Sequence, residues 1–113
     1  MRHALSDFEE IVLLTVGILY DDAYGLAITD ELESRTGRTY TVSSVHKALM
    51  RLEDRGMLRS QMGGATEERG GRKKRLFTIT NTGKEALYEA KKTREKLWQA
   101  IPQVVWDLKL GGL

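Results

Sequence analysis

Five cationic side chains, Arg69, Arg72, Lys73, Lys74 and Arg75, crowd around Gly70 and Gly71 in the stretch EERGGRKKRLFTIT, residues 67–80. Cations at this density suit a polyanion, because each can neutralise one phosphate. Glycine, without a side chain, lets the backbone come close to it. Lys47 and Arg51 form a second group, spaced i,i+4 and therefore on one side of any helix that carries them. Just ahead of them, Ser43 and Ser44 can cap that helix and can also donate to a phosphate at its positive end. A basic run can equally be a solvated surface, and Glu67 and Glu68 temper the charge of this one.

Other chemistries find no support. Ser43 and His46 are i,i+3 and can touch, but no acid is placed to orient the imidazole and no oxyanion donor is evident. His3 and His46 have no partner at ligand spacing, so no metal site is expected. The chain has no cysteine, which removes thiolate catalysis, disulfides and cysteine zinc sites. Gly64 and Gly70 are not followed by the Gly-Lys-Ser/Thr of a phosphate loop. Neither an enzyme nor a cofactor is expected.

Charge is segregated along the chain. Arg35 to Arg75 holds eleven Lys or Arg against four Asp or Glu, a balance of +7, and the remainder holds seven against twelve, −5, giving the net +2. Such separation points to a polyanionic partner. At 113 residues with 41% hydrophobic and 30% charged content, the composition is that of one soluble domain. The apolar run from Ile11 to Tyr20 is too short to span a bilayer, the N-terminus has no signal-peptide layout, and a cytoplasmic location is expected.

The elements that position the cations are legible in order. Ser6 and Glu9 form a capping box ahead of a nearly all-apolar helix, whose Leu5, Phe8, Val12, Thr15 and Leu19 share one face. A second helix runs from about Gly25 to Thr36, with Leu26, Ile28, Leu32 and Ala27 inward and Gly37 as its stop. Thr41 or Ser43 caps a third helix, which buries Val45, Ala48, Leu49 and Leu52 and ends at Gly56. Ser43, Lys47, Met50 and Asp54 lie on its opposite face, flanked by His46 and Arg51. MLRSQM and RLFTIT then read as a hairpin with a long basic tip, and Thr80 caps a final helix from about Asn81. Helix, helix, helix, hairpin, helix is the winged helix-turn-helix arrangement, mainly α with a small β-hairpin wing. Its third helix enters the major groove of duplex DNA and its wing lies along the backbone. Arg75, at the start of a strand, can reach a phosphate or pair with an acid.

These elements carry four motifs in order: Tyr24-Gly25 opening helix two, LMRLEDRG (Leu49 to Gly56), Gly70-Gly71-Arg72 in the wing, and FTITNTG (Phe77 to Gly83). Over about Leu5 to Leu97 the chain resembles the PadR-like family of bacterial transcriptional regulators. His46 stands where that family usually has tyrosine, and Val45 where it usually has leucine. The short chain, with one helix after the wing, looks like the smaller subfamily. The resemblance implies a homodimeric repressor that leaves DNA when a small molecule binds or conditions change.

The expected division is residues 1–80 as the DNA-binding domain and 81–113 as a dimerisation helix. In that helix Leu87, Ala90, Leu97, Ile101, Val104 and Leu108 step by threes and fours like a coiled-coil seam, interrupted by Arg94. Pro102 should kink the helix or begin a new one. Trp98, beside the seam, can serve packing or face its copy across a two-fold axis to make a slot for a planar aromatic molecule. Phe8 and Val12 are the expected walls of that slot. Short PadR-like proteins include ones that take aromatic compounds at the dimer interface, and the resemblance implies such an effector here. The expected DNA contacts are Ser43, Ser44, His46, Lys47, Arg51, Arg69, Gly70, Arg72, Lys73, Lys74 and Arg75. The expected partners are double-stranded DNA, a second copy of the chain and that effector, with no membrane. An adaptor module that has lost DNA binding is the alternative, and it predicts a wing without excess positive charge.

Overall fold

The structure is a computed structural model that describes residues 4–63 and 74–107. Ser6 opens α1 (Asp7–Leu19): its hydroxyl accepts the Glu9 N–H at 3.1 Å while Glu9 Oε1 accepts the Ser6 N–H at 3.0 Å. The reciprocal pair satisfies two donors that the first helical turn leaves open. Val12, Leu13, Thr15 and Val16 are buried, whereas Leu14 and Ile18 on the outer face are 46% and 49% exposed. The helix stops at Tyr20, a non-glycine residue at φ 55°, and a 3-10 turn (Tyr20–Asp22) leads on.

Helix α2 (Gly25–Thr36) ends at Gly37, whose φ of 72° is the left-handed cap that glycine tolerates. It buries Ile28, Thr29 and Leu32, but Leu26 is 54% exposed, contrary to the sequence reading. Leu26 lies two positions before Ile28, about half a turn away from the inward stripe, so its apolarity misplaces it. Helix α3 (Val42–Asp54) is capped by Thr41, whose hydroxyl accepts the Ser44 N–H at 3.0 Å. Its inward stripe of Val45, Ala48, Leu49 and Leu52 is completely buried. Each such aliphatic burial contributes roughly 1.5–3 kcal/mol, so α3 is fixed in rotation with its other side outward.

Strands β1 (Leu58–Met62) and β2 (Arg75–Ile79) pair antiparallel from Leu58↔Ile79 to Met62↔Arg75. A backbone bridge from Tyr24 to Leu76 and a 2.8 Å bond from the Phe77 N–H to the Ala23 carbonyl tie β2 to the start of α2. Helix α4 (Asn81–Ala100) begins at Thr80, whose hydroxyl accepts the Gly83 N–H and donates to the Gly56 carbonyl. Gly83 allows the close approach that follows: a Cβ there would lie 2.3 Å from the Met57 carbonyl oxygen. Beyond Ala90, α4 leaves the core with every residue exposed. It ends before Pro102, which starts the short α5 (Gln103–Trp106), and this returns Trp106 to stack on Trp98 at 5.2 Å between centroids and 6° between planes. Among the described residues no helix is long and apolar enough to cross a membrane.

Candidate nucleic-acid interface

The outward side of α3 presents Ser43, His46 and Lys47, all exposed, and no side-chain hydrogen bond or ion pair joins them to another described residue. Ser44 differs. Its hydroxyl donates to the Thr41 carbonyl at 2.9 Å and its N–H to the Thr41 hydroxyl, so Ser44 is committed to the cap. Arg51 and Arg55, at the far end of the same helix, converge on Glu9 of α1. Arg51 Nε donates to Oε2 at 3.2 Å and Arg55 Nη1 to Oε1 at 3.1 Å, and Arg55 Nη2 also donates to the Ala4 carbonyl. The Glu9 side chain is only 8% exposed. Burial alone would push its carboxyl up, but the Ser6 N–H and the two guanidiniums outweigh it and hold Glu9 below the usual carboxylate range.

The wing stem is held from both sides. Lys74 Nζ lies 3.7 Å above the Tyr24 ring and 3.9 Å from Asp22 Oδ1, with its side chain 19% exposed. A cation packed against an aromatic face is held electrostatically by the ring. Arg75 Nη2 donates to Glu53 Oε1 at 2.8 Å and its Nε to the Ser60 hydroxyl at 2.9 Å, while Ser60 donates to Glu53 Oε2 at 2.7 Å. Lys74 and Arg75, both expected at phosphates, anchor the hairpin to the helices, Arg75 by pairing with an acid. The remaining wing residues, Arg69, Gly70, Arg72 and Lys73, lie outside the described residues.

Helices α1 and α4 leave large apolar side chains exposed. Leu97 is 65% exposed, Trp98 64% and Val104 63%, while Leu87, Ala90 and Ile101 are half-buried. A groove of about 520 Å³ runs between Leu14 of α1 and Leu87, Tyr88 and Trp98 of α4. Phe8 and Val12 do not line it: Val12 is wholly inside the core and Phe8 stacks on Tyr40 at 5.5 Å. A helix apolar on every side gives no phase by which to choose between Val12 and Leu14. Arg94, which interrupts the seam, bonds Glu10 at 2.8 Å and Asp7 at 3.1 Å, tying α4 to α1 within one chain. Glu9, Glu10, Asp22 and Trp106 were not legible as site residues, since each partner lies elsewhere in the chain or on another element.

Three helices, a two-stranded wing and an outward third-helix face define a winged helix-turn-helix protein. The chain belongs to the PadR-like family of transcriptional regulators, whose family model matches residues 13–89. It is a regulator and not an enzyme. Uncharacterized protein X of Lysinibacillus sphaericus is 28% identical over 98 residues, covering 85% of this chain and 83% of that one. Among solved structures, a PadR-like transcriptional regulator from Bacillus cereus superposes with TM-score 0.70 at 17% identity, covering 87% of this chain and 90% of that one. A PadR family regulator from Clostridium difficile R20291 superposes with TM-score 0.65 at 25% identity, covering 84% and 97%.

Proposed function

We propose that this chain is a homodimeric, sequence-specific DNA-binding repressor acting in the cytoplasm, released by a small planar aromatic effector. Residues 1–80 grip DNA and residues 81–113 hold the dimer. One observation carries the reading: Ser43, His46 and Lys47 stand exposed, their side chains without a partner among the described residues, on a helix whose inward stripe is completely buried. That presentation is what a recognition helix requires, since the buried stripe sets its rotation and leaves the polar side for base edges. Arg69, Arg72 and Lys73 add charge for the phosphates. The exposure of Leu14, Ile18, Leu97 and Trp98 supports the dimer, because a second copy laid on them would remove large apolar side chains from water. Retention on random duplex DNA that falls steeply with salt tests the binding. A chain that passes freely at low salt would be an adaptor.

Lys47 separates reading from gripping. Lys47→Ala should lose about 1–3 kcal/mol of discrimination at one base position, measured as affinity across a panel of single-base operator variants. A uniform loss across the panel would make Lys47 a phosphate contact.

The effector reading centres on Trp98. Its ring forms one wall of the groove with Leu14, Leu87 and Tyr88, and an apolar slot of this kind takes planar aromatic molecules by stacking. Such a molecule releases DNA only if it favours the spacing of recognition helices that does not fit the operator. In a Trp106→Phe background Trp98 is the sole indole, so planar aromatics should quench its fluorescence and weaken operator binding at the same concentrations. If no compound of a broad panel quenches it while Trp98→Ala dissociates the dimer, Trp98 is packing alone.

A further inference from the structure

Arg51 and Arg55 both meet Glu9, but in different ways. Arg55 uses both terminal nitrogens inside the fold, one on Glu9 and one on the Ala4 carbonyl, and its side chain is 35% exposed. Arg51 uses only Nε, at 3.2 Å from Glu9 Oε2, and its side chain stays 53% exposed. No hydrogen bond joins its two terminal nitrogens to another described residue. A guanidinium is planar and rigid, so fixing Nε limits the plane in which the terminal fork can lie. Arg51 also stands one turn beyond Lys47, on the side of α3 that carries the exposed polar residues.

The carboxylate is itself fixed. Oε1 accepts the Ser6 N–H at 3.0 Å within the capping box, and the side chain is nearly buried at the first turn of α1. Arg55 holds the same oxygen from a second direction. Glu9 is therefore a rigid support, whereas a surface carboxylate would be a mobile partner that roughly cancels its own attraction.

We propose that Glu9 is a positioning residue for DNA binding: it holds Arg51 by Nε so that the terminal fork is already oriented to grip a backbone phosphate. The inference rests on the DNA-binding reading above. It makes a claim opposite in sign to simple electrostatics. A negative charge beside a DNA-binding helix repels the duplex, so removing it should tighten binding if charge is all that Glu9 supplies. If Glu9 orients Arg51, removing the charge should weaken binding instead.

The test is duplex affinity of the full-length chain at fixed salt, with a random-sequence duplex as probe. Glu9→Gln should weaken binding on the order of fivefold, the size of one net hydrogen bond, and by a similar factor on unrelated sequences. Arg51→Lys, which keeps the charge but has no Nε, should weaken it similarly. In an Arg51→Ala background, Glu9→Gln should no longer weaken binding. Ser6→Ala controls for helix stability, since it removes the hydroxyl half of the capping box without touching Arg51, and it should leave affinity within twofold. Equal or tighter binding by Glu9→Gln, or loss of the same size in Ser6→Ala, would overturn the role of Glu9 alone. Absence of wild-type binding would overturn the DNA-binding reading and this proposal with it.

Discussion

Replacing Arg69, Arg72 and Lys73 together with alanine is expected to weaken binding to every duplex by about the same factor. The slope of log affinity against log salt should flatten by up to roughly 2.7, about 0.9 for each phosphate that is no longer neutralised. The reasoning starts from charge placement. The 67–75 stretch concentrates cations in a chain whose net charge is only +2, and a wing lies along the DNA backbone, where contacts position without reading sequence. Lys74 is left out of the set because it is bound to Tyr24 and Asp22 at the stem. Affinity measured from low to moderate salt checks this. An unchanged slope would mean that the wing tip makes no phosphate contact.

Gly83→Ala is expected to give the tightest overlap of any alanine replacement among the described glycines. The new Cβ would meet the Met57 carbonyl oxygen at 2.3 Å and Ile79 Cγ2 at 2.9 Å. The first of these is backbone, held by the turn between α3 and β1, where the Thr80 N–H donates to the same carbonyl at 3.1 Å. Neither atom can swing aside as the end of a long side chain can, so α4 must shift bodily. Overpacking of this kind costs about 1–3 kcal/mol or more, a drop of roughly 4–8 °C in Tm per kcal/mol for a domain near this size. Gly25→Ala is the internal control: it also lies in a helix, but a Cβ there would meet nothing within 4 Å. Melting curves at one protein concentration, fixed because a dimer's Tm depends on it, should separate the two variants widely. Superimposable curves would contradict the packing described at Gly83.

Much of the fold was legible because the deciding signals are local. The Ser6–Glu9 box, the Thr41 and Thr80 caps, and the stops at Gly37 and Gly56 each involve residues within a turn of one another. The α3 stripe was legible for a related reason: four apolar residues at helical spacing, set among mostly polar neighbours, fix the phase. Helix α1 lacks that contrast. Apolar on nearly all sides, it named Phe8 and Val12 as groove walls when the groove falls on Leu14. Leu26 shows the same weakness in miniature, since one apolar residue does not say which way it faces.

The charged residues were harder to place, because a cation's role depends on whether an acid from elsewhere reaches it first. Lys74, Arg75 and Arg51 all looked like phosphate contacts. The fold gives each an acidic neighbour that sequence spacing does not announce: Asp22 and Glu53 at the wing stem, and Glu9 from the first helix. Arg94 followed the same course, with Asp7 and Glu10 turning an interruption of the seam into a strut between α1 and α4. What distinguishes Ser43, His46 and Lys47 is that no such partner arrives among the described residues. Their exposure, together with the buried stripe behind them, is why the candidate site centres on the start of α3, with Arg51 one turn beyond it.

The central claim is that two copies of this chain read a particular duplex sequence through that helix start. Selection of bound duplexes from a random library by the purified full-length chain tests it most directly. Enrichment of an inverted repeat is expected, with half-sites about one helical turn apart to match two recognition helices related by a two-fold axis. A library that returns unenriched, or a single asymmetric site bound by one copy, would contradict it.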